Sequence, residues 1–503
     1  MARVIQELLR SGADGDTAIG APRRPPLSYA GLRAHVETTV ARLNALGIGR
    51  NDAVAIVLPN GPEMASAFVS IGAGATTAPL NPDYRQDEFR FYLSDLEARL
   101  LVVEARSKSP ALDVAAELGI NVATLRFDAS LPAGLFELEG DSRGSVANGF
   151  AKPDDVALVL HTSGTTSRPK IVPLTQRNVC ASAANVAESI DLARGDRCLN
   201  IMPLFHIHGL IAAVLGSLAA GASVHCTPGF NALHFFRWLE EVDPTWYTGV
   251  PTMHQAILSR AARNKQMIER ARLRLIRSSS ASLPPQVMAE LEATFGAPVI
   301  EAYGMTEAAH QMASNPLPPR PRKPGSVGVP AGPDIAIMDE AGSLLPAGTV
   351  GEIVIRGVNV TNGYKNNEQA NGAAFTNGWF RTGDQGVVDE DGYFRLTGRL
   401  KEIINRGGEK ISPREVDEVL LDHPAIAQVV TFAVPHAKLG EDIAAAVVLA
   451  EGADADERSI REFAAQRLAA MKVPRTILIV DEIPKGATGK LQRIGLAAKL
   501  GLA

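Results

Sequence analysis

Apolar runs alternate with stretches of helical spacing along the first part of the chain. Residues 52–60 run from a buried strand into a turn, and residues 63–73 then place apolar side chains at helical intervals. Further apolar runs at residues 100–103 and 156–160 predict two more strands. This alternation predicts parallel strands joined by helices, which is an α/β fold of layered sheets and helices. Residues 129–149 are rich in Gly, Ser and Asp and predict a surface loop.

The pattern changes near residue 401. Beyond it, residues 428–434 and 443–449 predict strands, and residues 460–468 have helical spacing. The sequence therefore predicts a large N-terminal domain over residues 1–400 and a small C-terminal α+β domain over residues 401–503.

Composition adds mainly exclusions. The 503 residues carry a net charge of −5, so no general basic field for nucleic acid is expected. No run approaches the roughly 18 consecutive apolar residues of a membrane span. The three cysteines, Cys180, Cys198 and Cys226, are not spaced as a metal site, and their low number favours a reducing compartment. We therefore expect a cytoplasmic protein.

A polar stretch, T-S-G-T-T-S-R-P-K at residues 162–170, follows the strand at 156–160. It offers backbone N–H groups, hydroxyls and the cation of Lys170 to a polyanion, and Gly164 frees the backbone to turn its amides inward. A triphosphate suits this chemistry. The stretch is not a Walker A loop, because Pro169 stands where a second glycine is required. By composition alone, such a loop is usually only a solvated turn.

The order T-S-G-T-T-x-x-P-K resembles the phosphate loop of the acyl-adenylate-forming enzymes, which include acyl-CoA synthetases, luciferases and the adenylation domains of peptide synthetases. The resemblance extends over nearly the whole chain, with the motifs in family order. It implies the fold of that family, in which a large N-terminal domain precedes a small mobile C-terminal domain. It also implies that ATP contacts a set of loop residues: Thr162, Ser163, Gly164, Thr165, Thr166 and Lys170.

The segment Y-G-M-T-E at residues 303–307 resembles the next family motif. Negative charge builds on the α-phosphate during attack, so the hydroxyl of Thr306 can bond to it, and the carboxylate of Glu307 can hold Mg²⁺ through oxygen. Without the phosphate loop, Glu307 would be a simple charge in a first helical turn. The resemblance places Tyr303 and Gly304 at ATP as well, and places the small-residue turn at Ser280 and Ala281 against the adenine.

Two histidines occur in P-L-F-H-I-H-G at residues 203–209. A histidine beside an apolar run is more often a hydrogen-bonded core residue than a catalyst. By resemblance, however, His206 is the gating residue beside the acyl group, and His208 is a donor to a polar substrate. Ser278 and Ser279 could donate to the same substrate.

The remaining motifs lie near and beyond residue 382. An isolated T-G-D, as at residues 382–384, is more often a turn than a ligand site. By resemblance, the later residues have defined roles: Asp384 and Arg399 bind the ribose, Lys401 is the hinge, and Gly407 and Gly408 serve the CoA step. Many relatives have a lysine at the position of Asn405, so the contribution of that lysine does not transfer to this chain.

The last motif is a glycine-rich loop, P-K-G-A-T-G-K, at residues 484–490. A lysine at a loop tip is normally only solvated, but in this family the matching lysine, Lys490, reaches the active site during adenylation. Rotation about Lys401 would then exchange it for the turn at Gly408 during the thioester step. The expected co-substrates are ATP and coenzyme A, with Mg²⁺ as cofactor.

Within the superfamily, the motifs look most like those of the oxalyl-CoA synthetases. A second carboxylate needs donors rather than an apolar tunnel, and the histidines and serines named above can supply them. The other possibilities are a ligase for malonate or a medium-chain fatty acid, adenylate transfer to a carrier protein, and a nucleotide-binding regulator with a decayed site. The last is disfavoured because Lys490, Glu307 and Asp384 are all present.

Overall fold

The chain divides into two compact units. The computed structural model describes residues 2–142, 144–162, 169–484 and 492–503. The first unit comprises Met1–Ile335 and Ile355–Phe380, and the second comprises Ala336–Val354 and Arg381–Ala503.

The first unit is built on two sheets. Their strands are β1 (Thr17–Gly20), β2 (Leu27–Ser28), β3 (Ala53–Val57), β4 (Thr76–Pro79), β5 (Leu100–Glu104), β6 (Asn121–Arg126), β7 (Glu137–Gly140), β8 (Val156–Thr162), β9 (Lys170–Thr175), β10 (Arg197–Asn200), β11 (Ser223–Cys226), β12 (Trp246–Gly249), β13 (Leu275–Ser278), β14 (Val299–Met305), β15 (His310–Ser314) and β16 (Val329–Pro330). One sheet has the order β7-β6-β5-β3-β4-β8-β9, and the other has the order β16-β15-β14-β13-β12-β10-β11-β1-β2.

The interior pairs of both sheets are parallel, and antiparallel pairs occur only toward the edges among the described strands. The parallel α/β layering predicted from the apolar pattern is therefore confirmed. The predicted loop at residues 129–149 is wrong in part, because β7 lies within it and pairs with β6. The sequence pattern does not predict this strand because the exposed glutamates Glu137 and Glu139 leave it without an apolar run, as is common for an edge strand.

Helices connect these strands. They are α1 (Ile5–Leu8), α2 (Tyr29–Ala45), α3 (Pro62–Gly72), α4 (Gln86–Leu96), α5 (Ala111–Leu118), α6 (Gln176–Ser189), α7 (Gly216–Ala219), α8 (Phe235–Val242), α9 (Pro251–Ala261), α10 (Lys265–Arg270), α11 (Pro285–Phe295) and α12 (Glu368–Ala374), with a π-helix at His208–Leu215 and short 3₁₀ turns at Leu9–Ser11 and Thr306–Ala308. Helix α6 starts directly after β9 because Thr175 and Asn178 form a capping box. Proline at the first position starts α9 and α11.

The remaining strands, most of them in the second unit, are β17 (Asp334–Met338), β18 (Gly351–Arg356), β19 (Phe375–Thr376), β20 (Trp379–Val388), β21 (Phe394–Arg399), β22 (Ile404–Arg406), β23 (Glu409–Ile411), β24 (Ile426–His436), β25 (Gly440–Leu449) and β26 (Thr476–Ile479). One sheet has the order β17-β18-β20-β19, with β21 paired to β20. The last sheet has the order β23-β22-β25-β24, with β26 paired to β25.

The C-terminal sheet is buried on both faces. Helices α13 (Pro413–Leu421) and α14 (Glu457–Ala465) contribute Val416, Leu420 and Ile460 to an apolar cluster with β25. A second cluster joins Phe432 to Leu496 of helix α15 (Leu496–Lys499). The α+β character predicted for this part of the chain agrees with that arrangement.

Candidate active site

Four neighbouring parallel strands of the larger sheet, β10, β12, β13 and β14, deliver most of the described site residues. Their carboxyl ends meet at one edge of the sheet, which is where α/β proteins place their ligands. The segment after β10 leads to His208, β13 runs into Ser280, and β14 runs into Thr306. Motifs that are nearly a hundred residues apart in sequence therefore converge because the topology is parallel.

His208 is the centre of a buried polar cluster. It is the first residue of the π-helix, a rare element that is frequent at functional sites, and it is 1% exposed. Its Nε2 lies 2.6 Å from Oγ1 of Thr248, and its Nδ1 lies 3.0 Å from Oγ of Ser280. The ring of His310 stacks on it with 5.1 Å between centroids. Two hydroxyls and a second imidazole thus fix the plane of this ring.

Arg277 lies in the same cluster and is wholly buried. One of its terminal nitrogens lies 3.1 Å from Nε2 of His310 and donates to Oε1 of Gln311 at 2.9 Å. The other lies 3.4 Å from Nε2 of His208.

The charge of this guanidinium is not neutralised by an ion pair with any carboxylate in the described part of the chain. Its Nε likewise has no hydrogen-bond partner among the described residues. Burial lowers the pKa of Arg277 to about 10. A buried cation without a counter-charge is costly, so the cluster is suited to receive an anion.

The other predicted donors to the acid are placed less centrally. The hydroxyl of Ser279 donates to the carbonyl oxygen of Ala302 at 2.9 Å, and Ser278 is fully buried on β13 next to Arg277. Successive strand residues face opposite sides of a sheet, which separates Ser278 from the side of Arg277. The ring of His206 lies 5.1 Å from that of Phe205. The structure does not bring Ser278 and Ser279 to His208, and their proposed role stays a prediction.

The motif predicted to bind the nucleotide lies at the end of β14. Tyr303 is buried, and a Cβ at Gly304 would come within 1.7 Å of the carbonyl oxygen of His310, so only glycine fits this close approach of β14 to β15. Thr306 is partly exposed at the start of a 3₁₀ turn, and Glu307 beside it is 6% exposed. Oε1 of Glu307 accepts a hydrogen bond from the hydroxyl of Tyr364 at 2.9 Å.

Of the phosphate-loop residues, Thr162 ends β8 and lies opposite Lys170, the first residue of β9. Nζ of Lys170 lies 4.3 Å from the ring centroid of Tyr364. The predictions for Ser163, Gly164, Thr165, Thr166 and Lys490 fall outside the described residues.

The turn after β13 carries the predicted adenine contacts. Ser280 adopts a left-handed backbone conformation with φ of 73°, and Ala281 is exposed. The unusual backbone turns the Ser280 hydroxyl toward His208. The structure thus adds Ser280 to the polar cluster around His208, and its predicted contact with the adenine stays a prediction.

The second unit brings Asp384 and Arg399 together. They lie opposite each other on β20 and β21, and Nε of Arg399 donates to Oδ1 of Asp384 at 3.0 Å. Lys401 is exposed in the turn that follows β21. Gly407 and Gly408 form the turn between β22 and β23, with φ of 61° and 97°.

Sequence reasoning did not single out four residues of the candidate site: Arg277, His310, Thr248 and Tyr364. Arg277 carried a usable signal, because a charge between Ile276 and a buried serine interrupts an otherwise apolar strand. The others show no local signal, since only the strand order brings them to the site.

The comparisons with known proteins agree with this picture. The sequence profile of the AMP-binding enzyme family matches residues 13–365. The chain belongs to the AMP-binding enzymes. Residues 415–490 match the family's C-terminal domain. The acyl-adenylate-forming family predicted from the motifs is therefore confirmed.

Several relatives cover almost all of this AMP-binding enzyme. An oxalate–CoA ligase from Arabidopsis thaliana is 48% identical over 474 residues, which span 93% of this chain and 92% of that protein. An oxalate–CoA ligase from Saccharomyces cerevisiae is 42% identical over 474 residues, with 88% and 86% covered. The crystal structure of ATP-bound MatB from Rhodopseudomonas palustris has a TM-score of 0.88 at 28% identity and covers 99% of both chains. The predicted fold is confirmed by that similarity.

Among the described helices, none combines the length and apolarity that crossing a membrane requires. The described residues also contain no group of three or more His, Cys, Asp or Glu side chains arranged to hold a metal.

Proposed function

We propose that this AMP-binding enzyme is an ATP-dependent acid–CoA ligase and that its acid is oxalate. The observation that carries the choice of acid is the buried guanidinium of Arg277, which has hydrogen bonds but no ion pair among the described residues. Oxalate has two carboxylates, and only one is consumed by adenylation. The other stays anionic throughout and would be the counter-charge of Arg277.

The imidazoles support the guanidinium. A carboxylate accepts hydrogen bonds only and would take them from Arg277, whose position is fixed by His310 and by His208, the ring that the hydroxyls of Thr248 and Ser280 hold in place. A fatty acid has no second carboxylate and would leave the buried charge of Arg277 without a counter-charge. Malonate carries the same two charges with one more carbon between them. The distance from Arg277 to the reacting carboxylate would therefore let the enzyme distinguish oxalate from malonate. The names of the relatives support oxalate.

The proposed chemistry has two half-reactions. In the first, a carboxylate oxygen attacks the α-phosphorus of ATP, an O–P bond forms, and pyrophosphate leaves with the electron pair of the broken bond. The hydroxyl of Thr306 would donate to the α-phosphate, and Lys170 and Lys490 would face the phosphates. Asp384 and Arg399 would hold the ribose, and His206 would gate the acyl group.

In the second half-reaction, the sulfur of CoA attacks the acyl carbon and AMP leaves. A C–S bond replaces the C–O bond of the mixed anhydride, and the thiol proton is lost to solvent. Lys490 serves only the first step, so we propose that the C-terminal domain turns about Lys401 between steps and that Gly407 and Gly408 then serve the thiol.

Glu307 fits a magnesium ion. Its carboxylate is a hard oxygen ligand, and the hydroxyl of Tyr364 fixes one of its oxygens by donating to it. Mg²⁺ is commonly held by one or two carboxylates plus substrate phosphates. When bound, Mg²⁺ supplies neutralisation of the phosphate charge. The contribution of the chain is to orient the carboxylate that holds it.

The test is ATP–pyrophosphate exchange with oxalate, malonate and octanoate under identical conditions, followed by thioester formation with increasing CoA. We expect exchange with oxalate to exceed that with the other acids and thioester formation to saturate with free CoA. Exchange that favours octanoate and ignores oxalate would refute the proposal. A preference for malonate would keep the proposed anion site but exclude oxalate as the acid. If no thioester forms with free CoA, the acyl acceptor would be a carrier protein.

A further inference from the structure

The segment from Thr361 to Tyr364 joins two motifs that are far apart in sequence. The N–H of Thr361 donates to the carbonyl oxygen of Glu307 at 2.7 Å, and its hydroxyl donates to the carbonyl oxygen of Pro173 on β9. Pro173 lies three residues after Lys170. The segment therefore spans from the strand of the phosphate-loop lysine to the candidate metal ligand.

Tyr364 contacts the Glu307 carboxylate of one motif and the Lys170 ammonium of the other. Its hydroxyl donates to Oε1 of Glu307 at 2.9 Å, and its ring faces Nζ of Lys170 at 4.3 Å from the centroid. A ring face attracts a cation at this distance, and a hydroxyl bonded to one carboxylate oxygen fixes the orientation of the other. The side chain is 8% exposed, so both contacts are sheltered from water.

The backbone of Tyr364 is held as well. The side-chain amide of Asn371 accepts from its N–H at 2.7 Å and donates to its carbonyl oxygen at 2.9 Å. Gly363 precedes it with φ of 135°, and a Cβ there would come within 2.8 Å of the same amide. This support leaves Tyr364 little freedom to leave either partner.

We propose that Tyr364 is a positioning residue for the metal and phosphate side of adenylation. Its hydroxyl orients the Glu307 carboxylate toward Mg²⁺, and its ring holds the Lys170 ammonium where the phosphates of ATP bind. This inference rests on the proposed function, which supplies the roles of Glu307 and Lys170. It adds a residue that lies outside every motif singled out in the sequence.

The hydroxyl and the ring can be tested separately. Tyr364→Phe removes the bond to Glu307 and keeps the ring under Lys170, whereas Tyr364→Leu removes both. The matched control is Tyr29→Phe, because Tyr29 is a buried tyrosine whose hydroxyl donates to the carbonyl oxygen of Ala222 at 2.7 Å. Glu307→Gln tests whether Glu307 itself binds the metal.

The measurement is calorimetric binding of an ATP analogue with a methylene group between the α- and β-phosphates, at a series of Mg²⁺ concentrations. For Tyr364→Phe we expect the Mg²⁺ concentration at half-maximal effect to rise about tenfold, with metal-free affinity changed less than about twofold. For Tyr364→Leu we expect metal-free affinity to fall by about threefold as well. High Mg²⁺ should restore pyrophosphate exchange in Tyr364→Phe.

Three outcomes would overturn the proposal for Tyr364. Unchanged Mg²⁺ dependence in Tyr364→Phe, with a strong effect in Glu307→Gln, overturns the proposal and leaves the proposed function standing. No effect in Glu307→Gln removes the metal role of that residue and overturns the proposal for Tyr364, while the proposed function is still decided by the exchange assay with the three acids. An equal rise in the Mg²⁺ requirement of Tyr29→Phe would show a general loss of stability and also overturn the proposal.

Discussion

Replacing Arg277 with methionine removes the buried charge while keeping a long unbranched side chain. If the guanidinium pairs with the second carboxylate of oxalate, Arg277→Met should impair oxalate adenylation far more than it impairs folding. The pairing exists in the bound substrate and in the transition state alike. The loss should therefore appear mainly as a raised KM for oxalate, with a smaller change in kcat.

The structure sets the size of both effects. Truncating one member of a buried hydrogen-bonded charge pair costs about 3 kcal/mol, which is a loss on the order of a hundredfold in kcat/KM for oxalate. In the ligand-free protein, burial has lowered the pKa of Arg277 to about 10, so holding the charge there costs on the order of 3 kcal/mol. Removing it relieves that cost but leaves Gln311 and His310 with fewer partners. These terms oppose each other, and the stability without ligand should change by less than about 2 kcal/mol.

The assay is pyrophosphate exchange over a range of oxalate concentrations, paired with denaturant unfolding. Arg274→Met is the matched control, because Arg274 lies on the same segment but forms an ion pair with Asp196 at 2.9 Å. The control should lose stability and keep kcat/KM for oxalate within about threefold, since buried Asp196 loses its partner. Arg277→Met with oxalate kinetics within about fivefold of the parent would refute the reasoning.

Three further predictions concern other parts of the chain. Lys490→Ala should lose the adenylation step severely but retain thioester formation from a supplied acyl-adenylate; equal loss of both steps, measured separately, would contradict the two-step use of the C-terminal domain. Burial lowers the pKa of His35 to about 4, so its contribution to stability is present above its ordinary pKa of 6.5 and is lost as the pH falls toward 4. Unfolding of His35→Leu across this range should show about 3 kcal/mol less acid destabilisation, and an unchanged pH profile would exclude the imidazole as its source. Gly304→Ala should destabilise the protein by more than about 2 kcal/mol, because its Cβ would strike the carbonyl oxygen of His310, whereas Gly372→Ala, with nothing within 4 Å, should be neutral or stabilising in the same unfolding assay.

Much of the fold could be predicted because its strands are buried on both faces. The run at residues 100–103 is now β5, and the helical spacing at residues 63–73 is α3, Pro62–Gly72. Parallel interior strands are continuous apolar runs, so composition alone reveals them. β7 was not predicted because its exposed glutamates interrupt the apolar run that marks a buried strand.

The candidate site could be predicted only where a motif is contiguous. His208 and Glu307 stand in recognisable segments, whereas Arg277 meets His310 because β13 and β15 both pair with β14 in the sheet. Sequence spacing does not reveal which strands are adjacent. Likewise, the sequence does not reveal that the left-handed backbone of Ser280 turns its hydroxyl to His208.

In the proposed reaction, one hairpin of the larger sheet would serve both substrates. β14 leads to Thr306 and Glu307 on the nucleotide side, and β15 begins three residues later with His310, which contacts Arg277. The fit of Gly304 against His310 locks these strands in register. An evolving or engineered variant that changes acid preference through His310 would therefore also shift the groups that handle ATP. A new acid is reached more easily by altering Thr248 or Ser280, which lie on other strands and leave this hairpin untouched.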